Sequence, residues 1–448
     1  MLTLLGQKVK YCDGVTRRNF LQIGALSFGA TTLSLTDIFR SEAKAGASAT
    51  RHKGVINIFL GGGPPHQDMW DIKTEAPPEI RGEFKPIQTK VNGIQIGETF
   101  QRIAASMDKF VAIRSLVGAR GGHDAIQCMG GWEPQNMISM GGRPSIGATA
   151  AKVLGPVDPS VPPFVGLAAP TTHKPWSDSG RPGFLGVPYA AFKPDGEGLA
   201  NLQLRGITLD QLADRRKLQL GFDSMRKELD HNGSVRGLDA VQERALDVLT
   251  GSKLLEALDI SRESDKVRER YGDGKPYKFQ FDGAPTCNDH LLLARRLIEA
   301  GARVVSLSYG RWDSHGKNFD LVRDHGSKLD QCLTALVEDL EVRGMLDDVT
   351  IIVWGEFGRT PRINNGGGRD HWPQVSCALL AGGGMKTGQT IGATNRLGEY
   401  AANRPVTFPE VFATLYRNLG IDPSKTTMPD PTGRPQHVIE AEAMKELI

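Results

Sequence analysis

Cysteine is scarce, with five in 448 residues. Cys12 lies near the N-terminus, while Cys128, Cys287, Cys332 and Cys377 are far apart and form no Cys-x-x-Cys pair. That spacing argues against a thiolate-based structural zinc knot. One disulfide could form in an oxidising compartment, with no pairing indicated. Cys332 and Cys377 sit in apolar stretches and read as buried thiols. A charge excess is also missing. The chain has 54 Lys+Arg and 51 Asp+Glu. Residues 1–45 hold six and three of these, so the remainder carries 48 of each sign. A neutral body does not suit a general nucleic-acid or membrane-surface binder. No run reaches the about 20 apolar residues of a stable membrane span. None of the glycine triplets at 61–63, 366–368 and 382–384 is followed by the Lys-Ser/Thr of a phosphate-binding loop, so nucleotide binding has little support. Internal repeats and low-complexity tracts are absent.

What is present begins with an address. Thr16-Arg17-Arg18-Asn19-Phe20-Leu21 is a twin-arginine pair followed by a hydrophobic pair. A weakly apolar stretch, Ile23 to Leu35, comes next, and Ala43-Lys44-Ala45 is a small-x-small cleavage pattern. Together they read as a signal peptide over 1–45 for the twin-arginine translocation machinery. The destination is the periplasm or the exterior. An amphipathic surface helix with a chance Arg-Arg is the competing reading.

Residues 46–448 read as one α/β domain. Val55–Leu60, Phe110–Ile113, Arg303–Ser308, Val349–Trp354 and Ser376–Ala381 are short apolar runs with the character of buried strands. Helical spacing appears over Asn288–Ala300, Gly326–Arg343 and Thr407–Leu419. Near-continuous apolar strands alternating with helices predict a mostly parallel sheet covered on both faces. The segment from about 209 to 272 is charged and periodic. It reads as a solvated helical insertion or cap, or alternatively as a coiled-coil docking surface.

In open α/β sheets, ligands bind beyond the carboxyl ends of the strands. After the first strand come His66, Asp68 and Asp71; after the second, Ser115, Arg120, His123 and Asp124. Asp313 and His315 follow the third, and Glu356 and Arg359 follow the fourth. A glycine-rich loop then ends in Arg369-Asp370-His371-Trp372. Mixed imidazole and carboxylate donors suit a transition metal, zinc or manganese, as one or two ions. Calcium would prefer an all-oxygen cage. Arg359 has the planar fork to hold a sulfate or phosphate, or it could pair with Glu356. Trp70, Trp312, Trp354 and Trp372 each lie within two residues of a candidate ligand. They could wall a pocket for a sugar ring or simply seal the core.

Several blocks resemble the exported family called domain of unknown function 1501, a branch of the alkaline phosphatase and sulfatase superfamily. They are Gly62-Gly63-Pro64-Pro65-His66-Gln67-Asp68, Pro78-Glu79-Ile80-Arg81-Gly82-Glu83-Phe84, Trp312-Asp313-Ser314-His315, Trp354-Gly355-Glu356-Phe357-Gly358-Arg359-Thr360-Pro361 and Gly368-Arg369-Asp370-His371-Trp372. The resemblance implies a three-layer α/β/α sandwich with metals at the carboxyl edge of the sheet. By motif it carries a metal-binding role to Asp68, Asp313, His315, Glu356, Asp370 and His371; His66 is added by its place after the first strand. The sulfatase Cys-x-Pro-x-Arg motif is absent. Alkaline phosphatases use a Ser or Thr after the second strand, where Ser115 is the loose match and His123 the second candidate. The family has no settled activity; the reading drawn from these residues is metal-dependent hydrolysis of phosphate or sulfate esters, with a small anionic ester or a sulfated or phosphorylated carbohydrate as substrate. The alternatives are a metal- and glycan-binding protein that has lost its nucleophile, or a structural partner in an exported complex.

Overall fold

Gly54–Phe59 (β1) is a fully buried run, Gly-Val-Ile-Asn-Ile-Phe, whose β-branched residues favour the strand. Gly61 to Pro65 ends it, because two prolines remove the donors that a ladder needs. The computed structural model describes residues 52–194, 252–278 and 283–448, together with the backbone of 25–28 and 31–34. Of residues 1–51, Ala25–Phe28 and Thr31–Ser34 pair antiparallel. Arg17, Arg18 and the Ala43–Ala45 pattern lie outside the described residues, as do residues 209–251 of the charged segment.

Around β1 the chain builds an eight-stranded sheet. Its other strands are Phe110–Val117 (β2), Phe164–Gly166 (β3), Val304–Ser308 (β4), Val349–Trp354 (β5), Ser376–Gly382 (β6), Gln389–Ile391 (β7) and Val406–Thr407 (β8). The order is β7-β2-β6-β5-β1-β4-β3, with β8 pairing beside β2. β6 pairs antiparallel with both its neighbours and every other pairing is parallel. The five strands expected from apolar runs are all present. β3, β7 and β8 were not expected; at two or three residues each, they are too short to show a pattern.

Alternation along each strand divides the core in two. Ile56, Ile58, Val305, Leu307, Ile351 and Val353 face one layer; Val55, Phe59, Ile352, Trp354, Ala378 and Leu380 face the other. The first layer holds Asn288–Ala300 and Asn318–Val342, which bury Leu291, Leu297, Leu329, Leu333 and Leu336. The second holds Ile146–Val153 and Phe408–Asn418. The latter starts in a capping box: Thr407 accepts from the Glu410 nitrogen and the Glu410 carboxylate accepts from the Thr407 nitrogen. Such caps contribute about 1 kcal/mol. Both faces are covered, as a parallel sheet requires.

The helix expected from Gly326 begins earlier, at Asn318, because Phe319, Leu321 and Val322 also reach the core. From the charged segment, Ser252–Leu258 and Asp265–Tyr271 are helices. They are not purely solvated: Leu254 and Tyr271 are buried, and the Tyr271 hydroxyl donates to Asp339 at 3.0 Å. The four cysteines Cys128, Cys287, Cys332 and Cys377 are buried and free. No helix among the described residues is long and apolar enough to cross a membrane.

Candidate metal centre

Parallel strands deliver their exit loops to one edge of the sheet, and β6, running the other way, begins there. His123 comes from the loop after β2, Asp313 and His315 from the loop after β4, and Glu356 from the loop after β5. His371 precedes β6, on the short ribbon of Gly358–Arg359 with His371–Trp372. One ligand atom from each of His123, Asp313 and His371 lies within 4.8 Å of the others. His315 joins them: its Nε2 is 3.1 Å from Asp313 Oδ1 and 3.1 Å from His371 Nε2. His371 Nε2 is in turn 3.3 Å from Asp313 Oδ1. His123 Nε2 stands 3.6 Å from the other oxygen, Oδ2.

Each imidazole is held from behind. His123 Nδ1 donates to Glu356 Oε1 at 2.8 Å, His315 Nδ1 to Asp370 Oδ1 at 2.6 Å, and His371 Nδ1 to the Gly121 carbonyl at 3.0 Å. These acceptors fix Nδ1 as the donor, so in the neutral rings each Nε2 lone pair turns toward Asp313. Metal-binding histidines are anchored in this way. The spacing fits as well. Ligand atoms about 2.0–2.1 Å from a tetrahedral metal lie roughly 3.3 Å from one another, close to the His315, His371 and Asp313 separations.

Electrostatics favour a cation among these atoms. Burial would push the Asp313 carboxyl up, but the adjacent His123 and His371 rings and the Arg359 guanidinium outweigh it, and it is held well below the usual carboxylate range. Burial would lower the His123 pKa. Hydrogen bonds to Asp313 and Glu356 reverse this and raise it to about 9. The carboxylates that favour a proton on His123 would favour a metal ion in the same place. Phe357, fully buried, packs its ring 4.3 Å from His371 and 5.2 Å from His123. Gly62 must be glycine: its φ is +106°, a Cβ there would lie 2.4 Å from the Asp313 nitrogen, and its own nitrogen donates to Glu356.

Other residues expected at the site are engaged elsewhere. Asp68 was expected as a ligand. It is fully buried against Arg369, with Arg369 Nε 2.7 Å from Oδ2 and Nη2 2.9 Å from Oδ1, and it also accepts from Asn318 at 2.7 Å. His66 is fully buried and donates Nε2–H to the Gly398 carbonyl at 3.0 Å. Glu356 and Asp370 do not reach the central cluster themselves; they orient His123 and His315.

Ser115 was expected just past the second strand. That strand runs on to Val117, so Ser115 lies within it, and its hydroxyl donates to the Arg404 carbonyl at 2.6 Å. Arg359 pairs with Asp313 rather than Glu356. Its Nε and Nη1 donate to the carbonyls of Gly63 and Arg369 at 3.0 and 2.9 Å, and Nη2 also reaches the Gly62 carbonyl. Fully buried, and with four of its five N–H groups engaged, it is not placed to present its fork to a ligand.

Trp70, Trp312 and Trp354 are buried core residues. Trp372 donates to the Glu399 carbonyl at 2.6 Å. Besides Phe357, the aromatic neighbours of the centre are His173 and Trp176, whose ring centroids each lie 5.2 Å from His123. They follow β3, and recognising that strand would have brought them into view.

Solved structures similar to this chain include the crystal structure of Ps i-CgsB in complex with k-i-k-neocarrahexaose, at 12% identity and a TM-score of 0.36, covering 83% of this chain and 72% of that one. The crystal structure of Ps i-CgsB is another, at 12% identity and a TM-score of 0.35 with the same coverage. No curated protein matches the chain. Residues 52–448 match the family described as protein of unknown function (DUF1501), and the chain belongs to that family.

Proposed function

We propose that this protein is a metal-dependent hydrolase of phosphate or sulfate esters, with esters on carbohydrate as a suitable substrate class. The observation that supports the reading is the convergence of three back-anchored imidazoles on Asp313. Nitrogen-rich donors suit zinc or manganese, as one or two ions, better than calcium. A metal held there would supply Lewis acidity toward the oxygens of an anionic ester and toward water. The chain's own residues then have separate tasks. Glu356, Asp370 and the Gly121 carbonyl orient the imidazoles, and Arg359 keeps Asp313 ionised. The His315 side chain is 49% exposed, which leaves that side open for a substrate. The placement of the centre at the carboxyl edge is compatible with an alkaline phosphatase-like fold.

Purified protein supplied with zinc or manganese should turn over members of a panel of aryl phosphate and aryl sulfate esters. Asp313→Ala should lose roughly a hundredfold or more of that activity. Undiminished turnover in the variant would show that the chemistry lies elsewhere. The engagement of Ser115 and Arg359 favours a second reading, a metal-binding protein without turnover. Its signature is full metal content, no hydrolysis and measurable binding of a sulfated glycan.

The twin arginines support export with the metal already loaded. Arg17→Lys with Arg18→Lys should retain folded protein in the cytoplasm; unchanged export of the double variant would rule the signal out.

A further inference from the structure

Beside the metal centre, two buried nitrogen atoms have no hydrogen-bond partner. Trp176 is 2% exposed and its Nε1 is one of them. Nε2 of His173 is the other. The two rings are 4.4 Å apart at their centroids, and both sit against His123, a member of the cluster. Other buried polar atoms among the described residues also have no hydrogen-bond partner, but these two are adjacent and sit against the same cluster ring, His123.

Looseness of the loop does not explain them. The Thr171 nitrogen donates to Ser177 Oγ at 2.8 Å and the Thr171 hydroxyl to the His173 carbonyl at 2.7 Å. The Trp176 nitrogen closes the turn onto the same carbonyl at 3.0 Å. Gly61, at the exit of β1, makes room for the indole: a Cβ there would lie 2.7 Å from Trp176 Cδ1. The rings are therefore seated by the fold.

The chemistry of the missing partner follows from the indole. Its N–H can only donate, so the partner must be an acceptor. One nearby cation favours a negatively charged acceptor: the Arg311 guanidinium lies 5.8 Å from the Trp176 ring centre, donates to the Asp313 carbonyl at 2.6 Å and stands 3.5 Å from Asp313 Oδ2. Arg359, the residue whose type best suits an oxyanion, is buried and engaged with Asp313 and three carbonyls. His173 and Trp176 are placed to take over that task.

We propose that His173 Nε2 and Trp176 Nε1 form the oxyanion-binding wall of the metal centre and donate to the oxygens of a tetrahedral oxyanion, the phosphate or sulfate group of a bound ester. This rests on the hydrolase reading and adds the residues that position its substrate.

The test is calorimetric titration of the zinc-loaded full chain with inorganic phosphate and with inorganic sulfate, with zinc content measured separately. Trp176→Phe and His173→Phe keep a ring and remove the donor. Each should weaken oxyanion binding by roughly ten- to a hundredfold, with zinc content and melting temperature preserved. His173→Gln, which restores an N–H, should recover part of the loss. If one phenylalanine variant fails to fold, the other gives the same reading. Unchanged affinity in both folded variants overturns the inference alone, since water would then be the partner. Loss of zinc from both also overturns it, because the residues would then be supporting the ligands. A wild type that holds zinc but binds neither oxyanion overturns it too. A wild type that takes up no zinc removes the proposed function along with it.

Discussion

His315 Nε2 and His371 Nε2 face each other at 3.1 Å, although the other nitrogen of each ring is already committed as a donor, to Asp370 and to the Gly121 carbonyl. Two neutral rings held in this way bring lone pairs together, and Asp313 Oδ1 adds a third acceptor within 3.3 Å. A shared cation would turn that repulsion into coordination.

The residues behind the ligands should matter almost as much as the ligands. Glu356→Gln and Asp370→Asn keep size and weaken the anchors of His123 and His315. Each should lower metal affinity by roughly ten- to a hundredfold while the protein stays folded. Competition with a chelator of known affinity measures this. Affinities equal to wild type would mean that the imidazoles need no anchoring.

Asp68 should behave differently despite its place in the family motif. Asp68→Ala leaves the Arg369 guanidinium, fully buried, without its carboxylate. Breaking a buried pair on one side costs about 3–5 kcal/mol. Denaturant unfolding should show that loss, while the folded fraction keeps its metal. Loss of metal without loss of stability would restore Asp68 as a ligand.

His66 should make the fold acid-sensitive. Burial dominates its environment, partly offset by Asp71 and the bond to Gly398, and lowers its pKa from 6.5 to about 4. Between those values the unfolded chain binds a proton that the folded one refuses. Its contribution is therefore constant above about pH 6.5, declines as pH falls toward 4, and is level below. The total is about 3 kcal/mol at most. Melting temperatures from pH 7 to 4 should fall less steeply in His66→Gln than in wild type. Parallel curves would show that His66 is protonated in the folded state.

These cases also show how much could be read from the chain alone. β2 and β4 were legible because buried strands are almost continuously apolar, and their exits led to His123 and to Asp313 and His315. His371 was legible as half of an Asp-His pair. Asp68, Arg359 and Ser115 were misplaced for one reason: a polar residue near a strand end has the same local signature whether it faces a ligand or a distant partner. Arg369, 301 positions from Asp68, and Arg404, 289 from Ser115, come close only through the fold. His173 and Trp176 were missed because β3 has three residues, too few for a periodic signal.

Elemental analysis of natively purified protein, wild type beside Asp313→Ala, with circular dichroism to confirm that both are folded, asks whether Asp313 holds a metal. At least one zinc or manganese ion per wild-type chain is expected, with its loss from the folded variant. A wild type without stoichiometric metal, or a variant that holds as much as wild type, would contradict this expectation.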